Sequence, residues 1–169
     1  MTPRRSTRST AGFTLIEAMV VIALSAIVTL GIVSFYLSAQ QTWTDASTQA
    51  LAQRDASTIL TTLSDRARAA DLAVVTPSTI DPANSLVVFY SRGGGAVELE
   101  TARFFCGGDG LMHEGDQDLQ DAGPMTGSKV LRFHATYDPN LKLITVDSLR
   151  VSSTNGQVVT QSISAGLYN

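Results

Sequence analysis

An uncharged segment near the N-terminus constrains this chain more than any other feature of its sequence. No acidic or basic side chain occurs from Ala18 to Thr44, and Ala18–Leu37 is mostly apolar and free of proline. A helix of about 20 such residues crosses the hydrocarbon core of a bilayer, so the segment is long enough to span a membrane. Tyr36 and Trp43 lie near its C-terminal end, where amphipathic aromatic rings favour the membrane–water interface.

Basic residues flank this segment on one side. Arg4, Arg5 and Arg8 precede it, and the next basic residue is Arg54. The positive-inside rule therefore predicts that residues 1–12 stay in the cytoplasm and that the rest of the chain is exported. A cleaved secretory signal is the alternative, but such signals have an apolar core of about 7–15 residues and small residues at the cleavage site. The apolar run is longer than that, and the best candidate site, Leu37-Ser38-Ala39, begins with a large residue.

A short motif joins the basic leader to the apolar run. Gly12-Phe13-Thr14-Leu15-Ile16-Glu17 resembles the cleavage and methylation motif of type IV prepilins and type II secretion pseudopilins. This resemblance implies that prepilin peptidase, a membrane enzyme, cuts after Gly12 on the cytoplasmic side. It also implies that the leader 1–12 is removed and that the new N-terminal residue, Phe13, is N-methylated.

Glu17 is the one acidic residue at the edge of the apolar helix. A carboxylate inside a membrane costs about 2.5–3.5 kcal/mol near the helix centre and generally finds a partner. The family resemblance implies that Glu17 pairs with the N-terminal ammonium of Phe13 on a neighbouring subunit during assembly. In the alternative, Glu17 lies at the level of the lipid headgroups without a partner.

The helical pattern continues beyond the apolar run. Apolar residues recur at helical spacing on one face, and polar residues occupy the opposite face. These residues predict one helix from about residue 14 to 71, with 13–37 in the membrane or filament core and 38–71 as an amphipathic periplasmic continuation. The apolar face comprises Ala56, Ile59, Leu60, Leu63, Ala67 and Ala70, and the polar face Gln53, Arg54, Thr58, Thr61, Asp65 and Arg68.

The period of the pattern changes after Pro77 and Pro82, which end the helical region and open a loop. From there the chain alternates in the manner of strands separated by turn residues, so 72–169 is expected to be a β-rich globular domain. The turns are expected at Gly93-Gly94-Gly95, Asp138-Pro139-Asn140 and Asn155-Gly156. The strands are expected at 85–90, 97–106, 111–113, 129–137, 141–151 and 158–163. A long helix followed by antiparallel strands predicts an α+β fold, with the helix packed on a C-terminal antiparallel β-sheet.

This element order is similar to that of pilin-like proteins over almost the whole chain. Within them the chain most resembles pseudopilin J and the PilW-type minor pilins. It departs from many pilins in lacking a C-terminal cysteine pair and in having no proline in the first half of the helix. The resemblance rests on Asp65-Arg66-Ala67-Arg68 within 56–70, Phe89-Tyr90, Arg103-Phe104-Phe105, Gly110-Leu111 and Leu167-Tyr168-Asn169.

One acidic cluster raises the question of a metal. Carboxylates at alternate positions suit a hard cation such as Ca²⁺, and some pseudopilins hold calcium in a loop. Asp116, Asp118 and Asp121 are the candidate ligands, but the run lacks the glycine and closing glutamate of an EF-hand. A solvated loop is the preferred interpretation, so no metal site is predicted. The full cluster is Asp109, Glu114, Asp116, Asp118 and Asp121.

Catalysis and nucleic-acid binding have little support. Cys106 with His113 or His134 could form a thiol–imidazole pair, but the features of a cysteine hydrolase are absent, and a buried apolar role for Cys106 is preferred. With 12 basic and 15 acidic residues the chain has a net charge of −3 and no basic stripe, which argues against direct binding of DNA. No enzymatic activity and no cofactor are expected.

The sequence therefore predicts a minor pilin or pseudopilin that is anchored in the inner membrane and assembles with other subunits through its N-terminal helix. Its partners would be prepilin peptidase and other pilin-like subunits in a type IV pilus or a type II secretion pseudopilus, in the tip or initiation complex. The competing hypothesis is an exported binding domain held by a signal anchor that never polymerises.

Overall fold

The computed structural model describes residues 13–92, 98–115 and 123–167. They form one α-helix and eight β-strands in the order α1, β1 to β8. The chain divides into two compact units, residues 1–44 and 45–169, and the boundary between them lies inside the helix α1 (Leu15–Ala69). The predicted α+β fold, with one long N-terminal helix followed by antiparallel strands, is confirmed.

In the unit that ends at Thr44, the helix exposes a continuous apolar surface. Leu15, Ile22, Leu30 and Phe35 are all more than half exposed, as are most large apolar residues between them. Among the described residues, α1 is the one helix long and apolar enough to cross a membrane, with a mean hydropathy of 2.5 over its most apolar window. None of the described residues of this unit, 13–44, covers that surface, as expected for a helix that lies in lipid or packs against other helices.

In the unit that begins at Asp45, α1 buries one face against the strands. All six residues of the predicted apolar face are buried, and Ala52 and Ser64 extend that face by further positions. All six residues of the predicted polar face are exposed. The helical periodicity therefore identified the buried face of this part of the helix correctly. The small alanine side chains allow the helix backbone to approach the sheets closely.

Five strands form the first sheet, in the order β1-β2-β3-β4-β5, and every neighbouring pair is antiparallel. A register shift at Phe89/Tyr90 marks a β-bulge in the pairing of β2 with β3. The strands are β1 (Leu72–Pro77), β2 (Ser85–Arg92), β3 (Glu98–Cys106), β4 (Met112–Gly115) and β5 (Gly123–Pro124).

Three strands form the second sheet, in the order β6-β7-β8, again antiparallel throughout. They are β6 (Lys129–Asp138), β7 (Leu143–Ser152) and β8 (Val158–Gly166). Both predicted turns in this sheet are present. Asp138 accepts hydrogen bonds from the N–H groups of Asn140 and Leu141, and Gly156 adopts a φ of 79°, which favours glycine.

Side chains at the start of β2 join the two sheets. Asn84 Oδ1 accepts the N–H of Phe133 at 2.7 Å, and Ser85 Oγ accepts the N–H of Ala135 at 3.0 Å. Gly110 O accepts the N–H of Val130 at 2.7 Å, so three backbone groups of β6 are bonded to the first sheet or to its β3–β4 turn. A shared core fills the space between the helix and the sheets, with Phe89 and Phe104 in an edge-to-face contact at 5.9 Å.

Two details differ from the sequence-based prediction, and a third is not tested. The strands form two sheets rather than one, because β5 has only two residues and ends in Pro124, which cannot donate to a further strand. A strand, β1, occupies the residues directly before Pro77, where the sequence signalled only the end of the helix. The expected glycine turn at 93–95 lies outside the described residues.

Candidate processing and assembly site

Thr14 fixes the start of α1. Its carbonyl oxygen accepts the N–H groups of Glu17 at 3.1 Å and Ala18 at 3.2 Å, and its Oγ1 lies 3.4 Å from the Glu17 nitrogen. This is the geometry of an N-cap, in which a threonine hydroxyl satisfies one of the free N–H groups of the first turn. Thr14 and Glu17 also have the Thr-x-x-Glu spacing of a capping box. Sequence analysis did not single out Thr14 as a cap, although that spacing was the available signal.

Phe13 lies before the helix, and its side chain is 72% exposed. Gly12, the other residue of the predicted cleavage site, lies outside the described residues. Helix α1 begins at Leu15, so Phe13 lies before its first residue. The residue on the C-terminal side of the predicted scissile bond is therefore in non-helical backbone.

Glu17 lies one helical turn after Phe13 and is exposed. Its position in the first turn is favourable for a carboxylate, because the N-terminal end of a helix carries a partial positive charge. In the uncleaved chain the nitrogen of Phe13 is an amide, so it carries no charge for Glu17 to pair with. The ammonium that the prediction requires forms only after cleavage.

The aromatic residues at the end of the apolar run are exposed on the helix. Tyr36 is 59% and Trp43 is 78% exposed, and the Gln40 side-chain amide donates to the Tyr36 hydroxyl at 2.8 Å. They are seven residues apart and therefore lie on the same side of α1. This position, after the last apolar turns, suits rings that occupy a membrane interface.

Two members of the acidic cluster pair with basic groups of the protein. Asp109 Oδ1 and Oδ2 each lie 3.0 Å from His113 Nε2, and Glu114 Oε1 lies 2.8 Å from Arg66 Nε. The Leu111 N–H bonded to Asp109, followed by His113, lowers the pKa of that carboxyl. Within the described parts of the chain, no group of three or more potential ligands could hold a metal ion. The candidate calcium ligands Asp116, Asp118 and Asp121 lie outside the described residues.

The structure separates Cys106 from both histidines. Cys106 and its strand partner Met112 are buried, whereas Phe105 stacks on His113 at 5.3 Å on the other face of the sheet. Adjacent residues of a strand point to opposite faces, so Cys106 and His113 cannot form a thiol–imidazole pair in this fold. His134 lies on β6, with its Nδ1 3.2 Å from Asp147 Oδ2. Burial raises the pKa of the Cys106 thiol, which makes it a poor nucleophile.

Comparison with protein families identifies the N-terminal segment. Residues 7–33 match the family described as the prokaryotic N-terminal methylation motif. The N-terminal segment of this chain is similar to the methylation motif of type IV prepilin-like proteins. The match covers the end of the basic leader, the Gly12-Phe13 junction, Glu17 and more than half of the apolar run. Comparison with curated proteins and with solved structures gave no match.

This motif belongs to structural proteins rather than to catalysts, which is in keeping with the separation of Cys106 from the histidines. Together with the exposed apolar helix, the motif indicates a membrane-anchored, pilin-like protein. The two observations overlap, because the matched residues 7–33 include the first part of α1.

Proposed function

We propose that this protein is a minor pilin or pseudopilin, processed between Gly12 and Phe13 and assembled through its N-terminal helix into a type IV pilus or a type II secretion pseudopilus. The observation that carries the proposal is the match of residues 7–33 to the prokaryotic N-terminal methylation motif. Within that family we propose a subunit of the pseudopilin J or PilW type, in a tip or initiation complex. Residues 1–12 are then the leader, 13–37 the membrane or filament-core helix, 38–71 its periplasmic continuation and 72–169 the globular domain.

The geometry around Phe13 supports processing at this position. A peptidase binds the bond that it cuts in an extended form, and a helix hides its backbone groups in internal hydrogen bonds. The Thr14 cap begins the helix after Phe13, so the residue after the scissile bond lies in non-helical backbone. Methylation of Phe13 then requires only the new amino group that cleavage creates.

The exposure of Glu17 and its neighbours supports a role in assembly. The core of a filament of packed apolar helices has low polarity, as the membrane does. An unpaired carboxylate is therefore costly in both. The ammonium of Phe13 on an adjacent subunit is a cation that becomes available on cleavage. A pair between the two groups would allow Glu17 to be buried in the filament core and would make assembly depend on processing.

Processing is tested by mass spectrometry of the N-terminus after expression with a prepilin peptidase. The expected product begins at Phe13 and carries one added methyl group. Gly12→Val should block cleavage, because a branched side chain would stand at the scissile position. Gly31→Val is the matched control, since space around the Gly31 side-chain position is open and the residue is remote from the cut. An intact Met1, or a new N-terminus near Ala39, would refute the processing proposal.

The assembly role is tested by replacing Glu17 with Gln, which keeps the size of the side chain and removes its charge. Glu17→Gln and Glu17→Ala should be cleaved normally but recovered in sheared filaments or pseudopili at greatly reduced levels. Glu17→Asp keeps the charge and should retain part of the assembly. Normal incorporation of the Glu17→Gln protein would refute the ion pair while leaving the processing proposal intact.

The second hypothesis, an anchored binding domain that never polymerises, predicts a different pattern. Such a protein would stay in the membrane fraction whether or not Glu17 is replaced, and its N-terminus would retain the leader. Protease protection on intact spheroplasts addresses location independently. The proposed topology places the globular domain on the outer side of the inner membrane, so added protease should digest it without lysis.

A further inference from the structure

Strand β8 (Val158–Gly166) leaves one edge of the second sheet open. Among the described residues it is hydrogen-bonded along one side to β7 and forms no strand pairing on the other side. The side chains on its outer face, the face turned away from the core, are all exposed; they are Val158, Thr160, Ser162 and Ser164. Every second residue of such an edge points its N–H and C=O groups away from the sheet, where another strand could pair with them.

The other three edges are covered or short. Three N–H groups of β6, at the opposite edge of the same sheet, donate to Asn84, Ser85 and Gly110. In the first sheet, β5 has two residues and ends in Pro124, and β1 has six and ends in Pro77. Proline lacks an N–H group and so limits the pairing of an edge strand.

The composition of β8 includes none of the usual devices that protect an edge. Its nine residues contain no lysine, no other charged residue and no proline. The one irregularity in its pairing is the register shift between Val146 and Leu149, where two residues of β7 stand opposite Ser162. Long edge strands without charge or proline are templates for pairing with another strand. This edge is therefore suited to β-sheet extension by a second chain.

We propose that β8 pairs antiparallel with β8 of a second copy of this protein across a two-fold axis. The sequence Val-Val-Thr-Gln-Ser-Ile-Ser-Ala-Gly is self-complementary in that arrangement. With Ser162 at the axis, it faces its own copy, and Thr160 faces Ser164. Small hydroxyl groups then meet small hydroxyl groups on the outer face, and no charge meets a like charge.

The residues of β8 on the face towards the core also form compatible pairs with a second copy of β8. Val159 would face Ala165, and Gln161 would face Ile163, so each large side chain meets a smaller or flexible one. A two-fold contact is complete with two copies and does not extend into a filament. The pair therefore goes beyond the proposed assembly through the N-terminal helix, and it would hold two anchored subunits together outside the filament.

The first test is disulfide cross-linking of the full-length protein in membranes of expressing cells. A cysteine at position 162 would face its own copy at the 4.5–5.5 Å Cα separation of antiparallel pairs, which is within the range of a disulfide. Ser162→Cys should give a disulfide-linked dimer under mild oxidation, and two tags of different length would show that both chains are this protein. Thr136→Cys, on an exposed position of β6, is the matched control for random collision. The unmodified chain controls for Cys106, which is buried.

The second test uses charges to check the register. In the Ser162→Cys protein, the double change Thr160→Lys and Ser164→Lys would place lysines opposite each other twice, and the dimer should decrease on the order of tenfold. The double change Thr160→Lys and Ser164→Glu has the same number of new charged groups but places each lysine opposite a glutamate. That variant should restore cross-linking.

Three results would overturn the proposal. The Ser162→Cys dimer could be no more abundant than the Thr136→Cys dimer, it could persist equally in both charge variants, or Ser162→Cys could link to a different protein. None of these results bears on cleavage at Gly12, which the N-terminal mass measures separately. Limited proteolysis checks that each charge variant is folded. A folded variant should resist the protease as well as the unmodified chain does, whereas an unfolded one would be digested faster.

Discussion

Replacing Asn84 with alanine should weaken the connection between the two sheets. Asn84 is 4% exposed, and its Oδ1 accepts the N–H of Phe133 on β6 at 2.7 Å. Its Nδ2 donates to Asp81 at 3.0 Å in the loop before β2. The side chain therefore links a loop of the first sheet to the backbone of the second.

The expected loss of stability depends on the backbone N–H of Phe133, which the substitution leaves without its acceptor. Alanine would leave the buried Phe133 N–H without an acceptor, which costs about 1–3 kcal/mol. The bond to Asp81 is partly exposed and contributes less, about 0.5–1.5 kcal/mol. Asn84→Ala should therefore lower the free energy of unfolding of the unit 45–169 by about 2–3 kcal/mol. For a unit of this size that corresponds to a fall in Tm of about 8–12 °C.

The free energy of unfolding is measured by urea titration of the full-length protein in detergent. Pulse proteolysis reports the folded fraction at each urea concentration. Asn84→Asp keeps an acceptor for Phe133 and should lose less than Asn84→Ala. Asn140→Ala is the matched control, because Asn140 is exposed in a turn, and its effect should stay within about 0.5 kcal/mol. A shift for Asn84→Ala no larger than that of Asn140→Ala, with an unchanged urea dependence, would refute the view that this bond holds the sheets together.

Three further predictions concern the β3–β4 turn. Gly107→Ala would place a Cβ 2.6 Å from His113 Nε2. It should destabilise the unit by about 1–2 kcal/mol, and His113→Ala in the same chain should recover part of the loss. The lowered pKa of Asp109 implies stability that is present above its ordinary value of 3.8 and is lost as the pH falls below that value. The midpoint of urea unfolding should therefore fall less between pH 7 and pH 3 in Asp109→Asn than in the unmodified protein. Cys106 should react with a thiol reagent at least about a hundredfold more slowly in the native protein than in urea, because it is buried with a raised pKa; equal rates would contradict the fold around β3.

Sequence patterns were sufficient where structure depends on neighbours along the chain. The 3.6-residue period of α1 identified its buried face residue by residue, because one side of a helix packs while the other meets water. The turn at Asn155-Gly156 was predicted because few residues adopt a positive φ. In contrast, β1 follows α1 with only two residues between them, so no turn signal separated the strand from the helix.

The candidate site also contains residues that a local signal identifies and contacts that it does not. Gly12, Phe13 and Glu17 could be singled out because a short motif at a fixed distance from an apolar helix is a local signal, and the methylation-motif match covers the same residues. The partner of Glu114 could not be predicted, because Arg66 lies 48 residues earlier in the chain. Nor could the opposite-face arrangement of Cys106 and His113 be read without the register that pairs Phe105 with His113.

The division of the strands into two sheets follows from how each edge is satisfied. β6 could have continued the first sheet only by pairing with β5, which offers two residues and a proline. Its free N–H groups instead donate to Asn84, Ser85 and Gly110, which serve in place of a neighbouring strand. At the other side of that sheet, β8 pairs with no further strand among the described residues, so its outward N–H and C=O groups are open to water or to another chain. The contact with a second copy that we propose at β8 would give these groups partners, as Asn84, Ser85 and Gly110 do for β6.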